Sequence, residues 1–104
     1  MFTAMYREQR IRSLRELRET LGSLDEDEGI RIYGRARGLA KGGLIFTGVY
    51  MGRYCVRVAD RVWDRRRKTF NVGRKSKYFY FDRFDETWSF LKSITERPLR
   101  AWLY

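Results

Sequence analysis

The stretch Arg53–Trp63, RYCVRVADRVW, constrains the fold of this chain more than any other. Side chains along a strand alternate between faces, so its residues fall into two sets. Tyr54, Val56, Val58 and Val62 lie on one face, interrupted by Asp60, while Arg53, Arg57 and Arg61 lie on the other, with Cys55 and Ala59 between them. One set can join a core, and the other presents a row of guanidinium groups. Ile30–Arg37, IRIYGRAR, repeats the pattern, with Ile30, Ile32 and Ala36 against Arg31, Tyr33, Arg35 and Arg37. Together the two stretches predict a sheet with one apolar and one basic face.

The remaining elements follow from periodicity and turn residues. Tyr6, Leu14, Leu17, Leu21 and Leu24 form a stripe at helical spacing, with Ile11 at its edge, and predict a helix over about 3–21 that stops at Gly22. The pairs Glu8–Arg12, Arg12–Glu16 and Arg15–Glu19 are four apart and suit its solvated side. Asp25–Glu28 reads as an acidic loop on a side that phosphate avoids, because consecutive carboxylates point apart and make a poor metal site. Gly38–Gly43 reads as a hairpin loop, since it lacks the GK[ST] tail of a phosphate-binding loop. Leu44–Met51 predicts a buried strand, with Gly48 marking a bulge or a close backbone approach, and Gly52 turns the chain into Arg53–Trp63.

Asp64–Lys68 reads as a basic turn, Thr69–Val72 as a short strand with Phe70 and Val72 inward, and Gly73–Lys77 as a second basic turn. Tyr78–Phe81 is strongly strand-forming; with Phe79 and Phe81 in the core, Tyr78 and Tyr80 face outward. Asp82 or Asp85 is placed to cap a final helix over about 83–96, ended by Arg97-Pro98. The apolar tail 99–104 either packs back on the core or forms a homodimer contact. The expected architecture is α+β in one domain, residues 1–104. An antiparallel sheet of about four or five strands (about 30–82) carries the N-terminal and C-terminal helices on one face, and its other face is open and basic.

Composition sharpens the functional reading. The net charge is +10, and 18 Arg against 5 Lys make up the 23 basic residues. Guanidinium forks onto phosphate and stacks on bases, so this bias fits nucleic acid; a GC-rich genome or thermal adaptation enriches arginine too. There is no His, which removes the commonest metal ligand and general base, and no metal or cofactor is expected. The single Cys55 fits a reducing, cytoplasmic setting, and no apolar run marks a signal peptide or a membrane span. Arg61 to Lys77 carries eight basic residues against Asp64 alone.

The candidate nucleic-acid-binding residues are therefore the face set Arg31, Tyr33, Arg35, Arg37, Arg53, Arg57, Arg61, Tyr78 and Tyr80. The rim set adds Arg65, Arg66, Arg67, Lys68, Arg74, Lys75 and Lys77. Arginines that close repel one another across strands unless an anion neutralises them, and this argues for a polyanionic ligand. No catalytic residue is assigned from the pattern. DNA and RNA are not distinguished.

Gly48-Val49-Tyr50 through Ser93 faintly resembles the APETALA-type DNA-binding module of some plant factors and recombinase arms. The shared features are the GV start, a basic and apolar alternating strand, and an aromatic strand entering a helix after Phe84-Asp85. Tyr54–Arg61 followed by Val72-Gly-Arg-Lys-Ser-Lys-Tyr78 is similar to the final strands of RelE/ParE-type toxins. That second likeness implies a small endoribonuclease with Arg and Lys on phosphate and Tyr78 or Tyr80 near the 2′-hydroxyl. Those toxins place two helices first and end soon after that strand, where this chain has one helix and then adds another. Neither pattern assigns the chain to a family. A third reading is an accessory or inhibitor protein, of the kind a virus or mobile element carries, whose basic face binds an acidic protein.

Overall fold

The computed structural model describes residues 8–35 and 43–104. Their elements are β1 (Gln9–Ile11), α1 (Leu14–Gly22), β2 (Gly29–Gly34), β3 (Gly43–Tyr50), β4 (Arg53–Asp64), β5 (Thr69–Phe81), α2 (Phe84–Ile94) and β6 (Ala101–Leu103). The strands form one antiparallel sheet in the order β1-β6-β2-β3-β4-β5. The sheet thus has six strands rather than the four or five expected, and the additions come from the two ends of the chain.

The N-terminal helix is shorter than its apolar stripe implied. Ser13 is an extended N-cap whose Oγ accepts from the Glu16 N–H at 3.1 Å, and the Glu16 carboxylate accepts from the Arg12 N–H at 2.7 Å. This exchange starts the helix at Leu14 and leaves Gln9–Ile11 extended. Ile11 is buried as a strand residue opposite Ala101. Of the three expected helical ion pairs only Arg15–Glu19 forms, at 3.2 Å. Tyr6 and the start predicted at Thr3 lie outside the described residues, as do Ala36, Arg37 and the 38–42 part of the predicted loop.

The apolar tail is a strand inside the sheet. Ala101 pairs with Ile11 on one side and Ile32 on the other, so both edges of β6 are consumed. The tail therefore packs within its own sheet, and the dimer contact expected of it is set aside. On the other side of the sheet, Gly73–Lys77 is not a turn. It lies within the 13-residue β5, because Ser76 and Lys77 pair with Ala59 and Val58. Pairing overrides what Gly and Ser suggest locally.

The core lies between the sheet and both helices. Ile30 and Ile32 of β2, Ile45 of β3, Val56 and Val58 of β4 and Ala101 of β6 meet Leu17, Leu21 and Leu91, all fully buried. Phe79 and Phe81 of β5 extend this face and pack on Phe90 of α2, with ring centroids 4.6 and 5.3 Å apart. α2 is capped by Arg83 with no side-chain bond, not by either aspartate. Asp82 instead pairs with Arg53, and Asp85 sits in the first turn, where a carboxylate suits the helix dipole. Between β3 and β4, Met51 (φ 51°) and Gly52 (φ 77°) make a two-residue turn with both φ positive, the geometry that matches strand twist.

Two features carry the chain onto the second face. After α2, the Arg35 N–H donates to the Ile94 carbonyl and the Glu96 N–H to the Tyr33 carbonyl, which seats Glu96 at the end of β2. Gly34 makes this possible, since a Cβ there would meet the Ile45 side chain and lie 2.5 Å from the Ile94 oxygen. Beyond the Gly43–Asp60 pair β3 has ended, and the register shifts between Ala59 and Arg61. From there β4 and β5 continue as a two-stranded arm, bent at the irregularity. Among the described residues no helix is long and apolar enough to cross a membrane.

Candidate nucleic-acid interface

The face opposite the helices is not a bare row of arginines. It is a lattice of guanidinium groups and rings. Trp102 of β6 lies between Arg10 and Arg31, whose guanidinium carbons are 4.8 and 4.7 Å from its ring centre. Tyr33 stands edge-on to Trp102 at 5.6 Å and takes Arg100 at 4.3 Å and Arg61 at 5.1 Å. The bent arm then adds Phe70, 6.4 Å from Tyr33 with Arg61 at 4.8 Å, and Trp63, 4.9 Å from Phe70. Phe70 and Val72 are therefore not inward as expected. They lie on the Arg61 side of the arm, 37% and 40% exposed.

Each cation on this lattice was expected to need an external anion, but the protein supplies most of them. Arg31 pairs with Glu8 at 2.7 Å, and Arg53 with Asp82 at 2.7 Å. Glu96 receives Arg100 at 2.9 Å, Arg35 at 3.7 Å and Arg61 at 3.8 Å. Arg35 lies just past the end of β2, and Arg37 is outside the described residues. Arg57 differs. Its Nε and Nη2 donate to the Ser76 hydroxyl at 3.3 Å, its guanidinium lies 5.5 Å from Phe46 and 6.0 Å from Tyr78, and it has no carboxylate partner among the described residues.

The rim set divides by position. Arg65, Arg66, Arg67 and Lys68 form the tip of the arm, where the Asp64 carboxylate accepts from the backbone N–H of Arg66 at 2.9 Å and of Arg67 at 3.3 Å. This bonding ties down the one acidic group of the arm and leaves the four cationic side chains outward. Arg74 and Lys75 are exposed on β5, and Lys77 lies opposite Val58, on the helix side of the sheet. Six of these side chains, Arg65, Arg66, Arg67, Lys68, Arg74 and Lys75, have no ion pair or hydrogen bond with any described residue.

Tyr78 and Tyr80 point away from the core, 56% and 51% exposed. Tyr80 is paired across the strands with Cys55, and the charge that sulfur can carry pushes the Tyr80 phenol up from its usual value. Beside them is a shallow cleft of about 380 Å³ whose floor is Gly48 and Cys55. Arg57, Phe46, Tyr78 and Tyr104 line it together with Glu26–Gly29, and the Tyr104 ring lies over Gly29. The acidic loop therefore borders the Arg and Tyr face instead of marking a remote side. Burial pushes the Tyr104 phenol up, keeping it a hydroxyl donor.

Sequence reasoning missed Arg10, Phe46, Trp63, Phe70, Arg100, Trp102 and Tyr104 on this face. The alternation Arg100-Ala-Trp-Leu-Tyr104 was the available signal for three of them. Among the described residues no group of three or more His, Cys, Asp or Glu side chains is placed to hold a metal. Comparison with protein-family models, with characterised proteins and with solved structures finds no match for this chain.

Proposed function

We propose that this protein binds nucleic acid, gripping the phosphate backbone with its β4–β5 arm and laying the strand along the ring-bearing face beside it. The observation that carries the reading is the set of six exposed cations on the arm with no partner among the described residues, on a ribbon that also presents Trp63 at 51% exposure. Solvated cations in that number favour a polyanion, and counterion release on contact drives the association. A two-stranded ribbon has the width to enter a major groove, while exposed rings give unstacked bases a surface. The neutralised arginines of the sheet centre position the rings, and Arg57, Tyr78 and Tyr80 remain available to the ligand.

The unpartnered cations of the arm support binding without a proton acceptor, which the endoribonuclease alternative needs beside the 2′-hydroxyl.

Fluorescence anisotropy with labelled duplex DNA, single-stranded DNA and RNA across a salt series tests the proposal. Six phosphate contacts give a slope of log K against log salt of about −5 for a duplex and about −4 for a single strand. Changing Arg65, Arg66 and Arg67 together to alanine reduces that slope by about 3 or about 2 respectively, and Arg15→Ala on the helix side leaves it unchanged. Absence of binding at low salt overturns the reading and points to an acidic protein partner, and cleavage of the RNA would restore the endoribonuclease.

A further inference from the structure

The cleft between the acidic loop and the sheet face has features that gripping phosphate does not explain. Glu26 and Asp27 are exposed and have no ion pair or side-chain hydrogen bond with any described residue, in a chain that holds 23 cations. Glu28 is occupied, its carboxylate accepting from the Asp25 N–H at 2.9 Å. That bond closes the turn and fixes Glu26 and Asp27 at the rim. Arg57 lines the same cleft; like Arg10 it is a face arginine with no carboxylate partner among the described residues, and it is held against the Phe46 and Tyr78 rings. A carboxylate rim and an arginine that do not neutralise each other, separated by a floor of small residues, leave room for a ligand carrying both hydrogen-bond donors and acceptors.

We infer that this cleft takes a single unpaired guanine base of the bound strand. Guanine alone among the common bases offers a pair of acceptors, O6 and N7, for one guanidinium fork and a pair of donors, N1–H and the 2-amino group, for one carboxylate. Adenine turns an unprotonated N1 toward the acidic rim, where two acceptors oppose each other. The rings of Phe46, Tyr78 and Tyr104 give a flat base its stacking surface. Gly48 keeps the floor open: a Cβ there would meet only the Glu28 carbonyl oxygen, at 3.7 Å. The volume of about 380 Å³ lies within the roughly 300–1,000 Å³ of small-molecule sites. Arg57 is six residues along β4 from Trp63, about 20 Å, so one strand can span the arm and the cleft together.

This inference rests on the nucleic-acid reading and narrows it to a single-stranded ligand with a guanine requirement. Labelled 12-mers of uridine or thymidine carrying one central guanine, hypoxanthine or adenine, in ribose and deoxyribose forms, separate the two claims. The guanine oligomer binds about tenfold more tightly than the adenine one, with hypoxanthine, which lacks the 2-amino group, between them. The two sugar forms show which polymer supplies the base. Glu26→Gln with Asp27→Asn abolishes the preference, and Gly48→Val, which fills the floor of a strand that tolerates the residue, does so independently. Equal binding of all the oligomers overturns the guanine site and leaves the arm reading standing. The site also falls if the Glu26 and Asp27 changes strengthen every oligomer alike, for the acidic rim then acts only by repelling phosphate. No binding by any oligomer removes both claims.

Discussion

The Glu96 carboxylate lies 3.8 Å from the Arg61 guanidinium, with the two side chains only 14% and 12% exposed. The same carboxylate serves Arg100 and Arg35, so one anion at the mouth of the β2 strand holds three cations from three parts of the chain. Removing it takes the facing carboxylate from Arg61 in a site nearly closed to water. Breaking a buried pair costs more than the pair contributes, because the remaining charge keeps its desolvation without the carboxylate. Glu96→Gln should lower stability by about 3 kcal/mol and the Tm by roughly 10–20 °C. Thermal unfolding followed by circular dichroism measures this. A Tm within a few degrees of the parent would show that water reaches Arg61 and screens it. Asp82→Asn removes the partner of Arg53 at a pair 51% and 75% exposed, and there the loss should stay under about 1 kcal/mol.

Gly34, at the end of β2, is where the Ile94–Glu96 segment leaving α2 crosses the sheet. Alanine there would drive its Cβ into the Ile45 side chain and to 2.5 Å from the Ile94 oxygen, with backbone on one side unable to yield. Gly34→Ala should destabilise by about 3 kcal/mol, which chemical denaturation reads as a lower midpoint at an unchanged m-value. A neutral result would mean that the Ile94–Glu96 segment can move away without loss, and Glu96 would then be less firmly seated than its pairs indicate.

Much of the sheet was legible because its strands follow one local rule. The alternation of Arg53–Trp63 and Ile30–Tyr33 correctly separates Val56, Val58, Ile30 and Ile32 from Arg53, Arg57 and Arg31, since burial of one face dictates the period. β1 and β6 were not legible as strands, because three residues hold too short a pattern to distinguish from a helix edge or an apolar tail. The start of α1 was legible and missed: Ser13-Leu-Arg-Glu16 is a capping-box spacing, and it ends the helical stripe before Ile11. Apart from Glu96–Arg100, four residues apart, the ion pairs that neutralise the face could not be read. Glu8 and Arg31 are 23 residues apart, and no local pattern brings them together. The argument from repulsion among arginines therefore failed for most of the face and survived for the arm and Arg57.

Thr47 on β3 is 1% exposed between Ile30 and Val56, and its hydroxyl has no hydrogen-bond partner among the described residues. Burying a hydroxyl without a partner costs about 1–3 kcal/mol, and valine has the same shape without the oxygen. Thr47→Val should therefore stabilise the protein by about 1 kcal/mol and raise its Tm by roughly 4–8 °C. A loss of stability on the same thermal scan would show that the hydroxyl has a water or backbone partner in solution.

Trp63 separates the two contributions of the arm, charge and stacking. Its ring is 51% exposed and meets Phe70 at 4.9 Å, so it is supported from one side and open on the other. Trp63→Ala removes a stacking surface without touching a cation, and the salt slope of nucleic-acid binding should stay as it was. Affinity for single strands should fall by about tenfold, the scale of one lost base–aromatic stack, while affinity for a duplex with no open base changes little. Stability should drop by no more than about 1 kcal/mol, since half of the ring is already in water and the edge contact with Phe70 is a modest one. Parallel anisotropy titrations of single-stranded and duplex ligands, with a melting curve of the variant, give all three quantities. If the variant bound both ligands with the parent's affinity, the arm would act through its charge alone, and the rings beside it would serve the fold rather than the ligand.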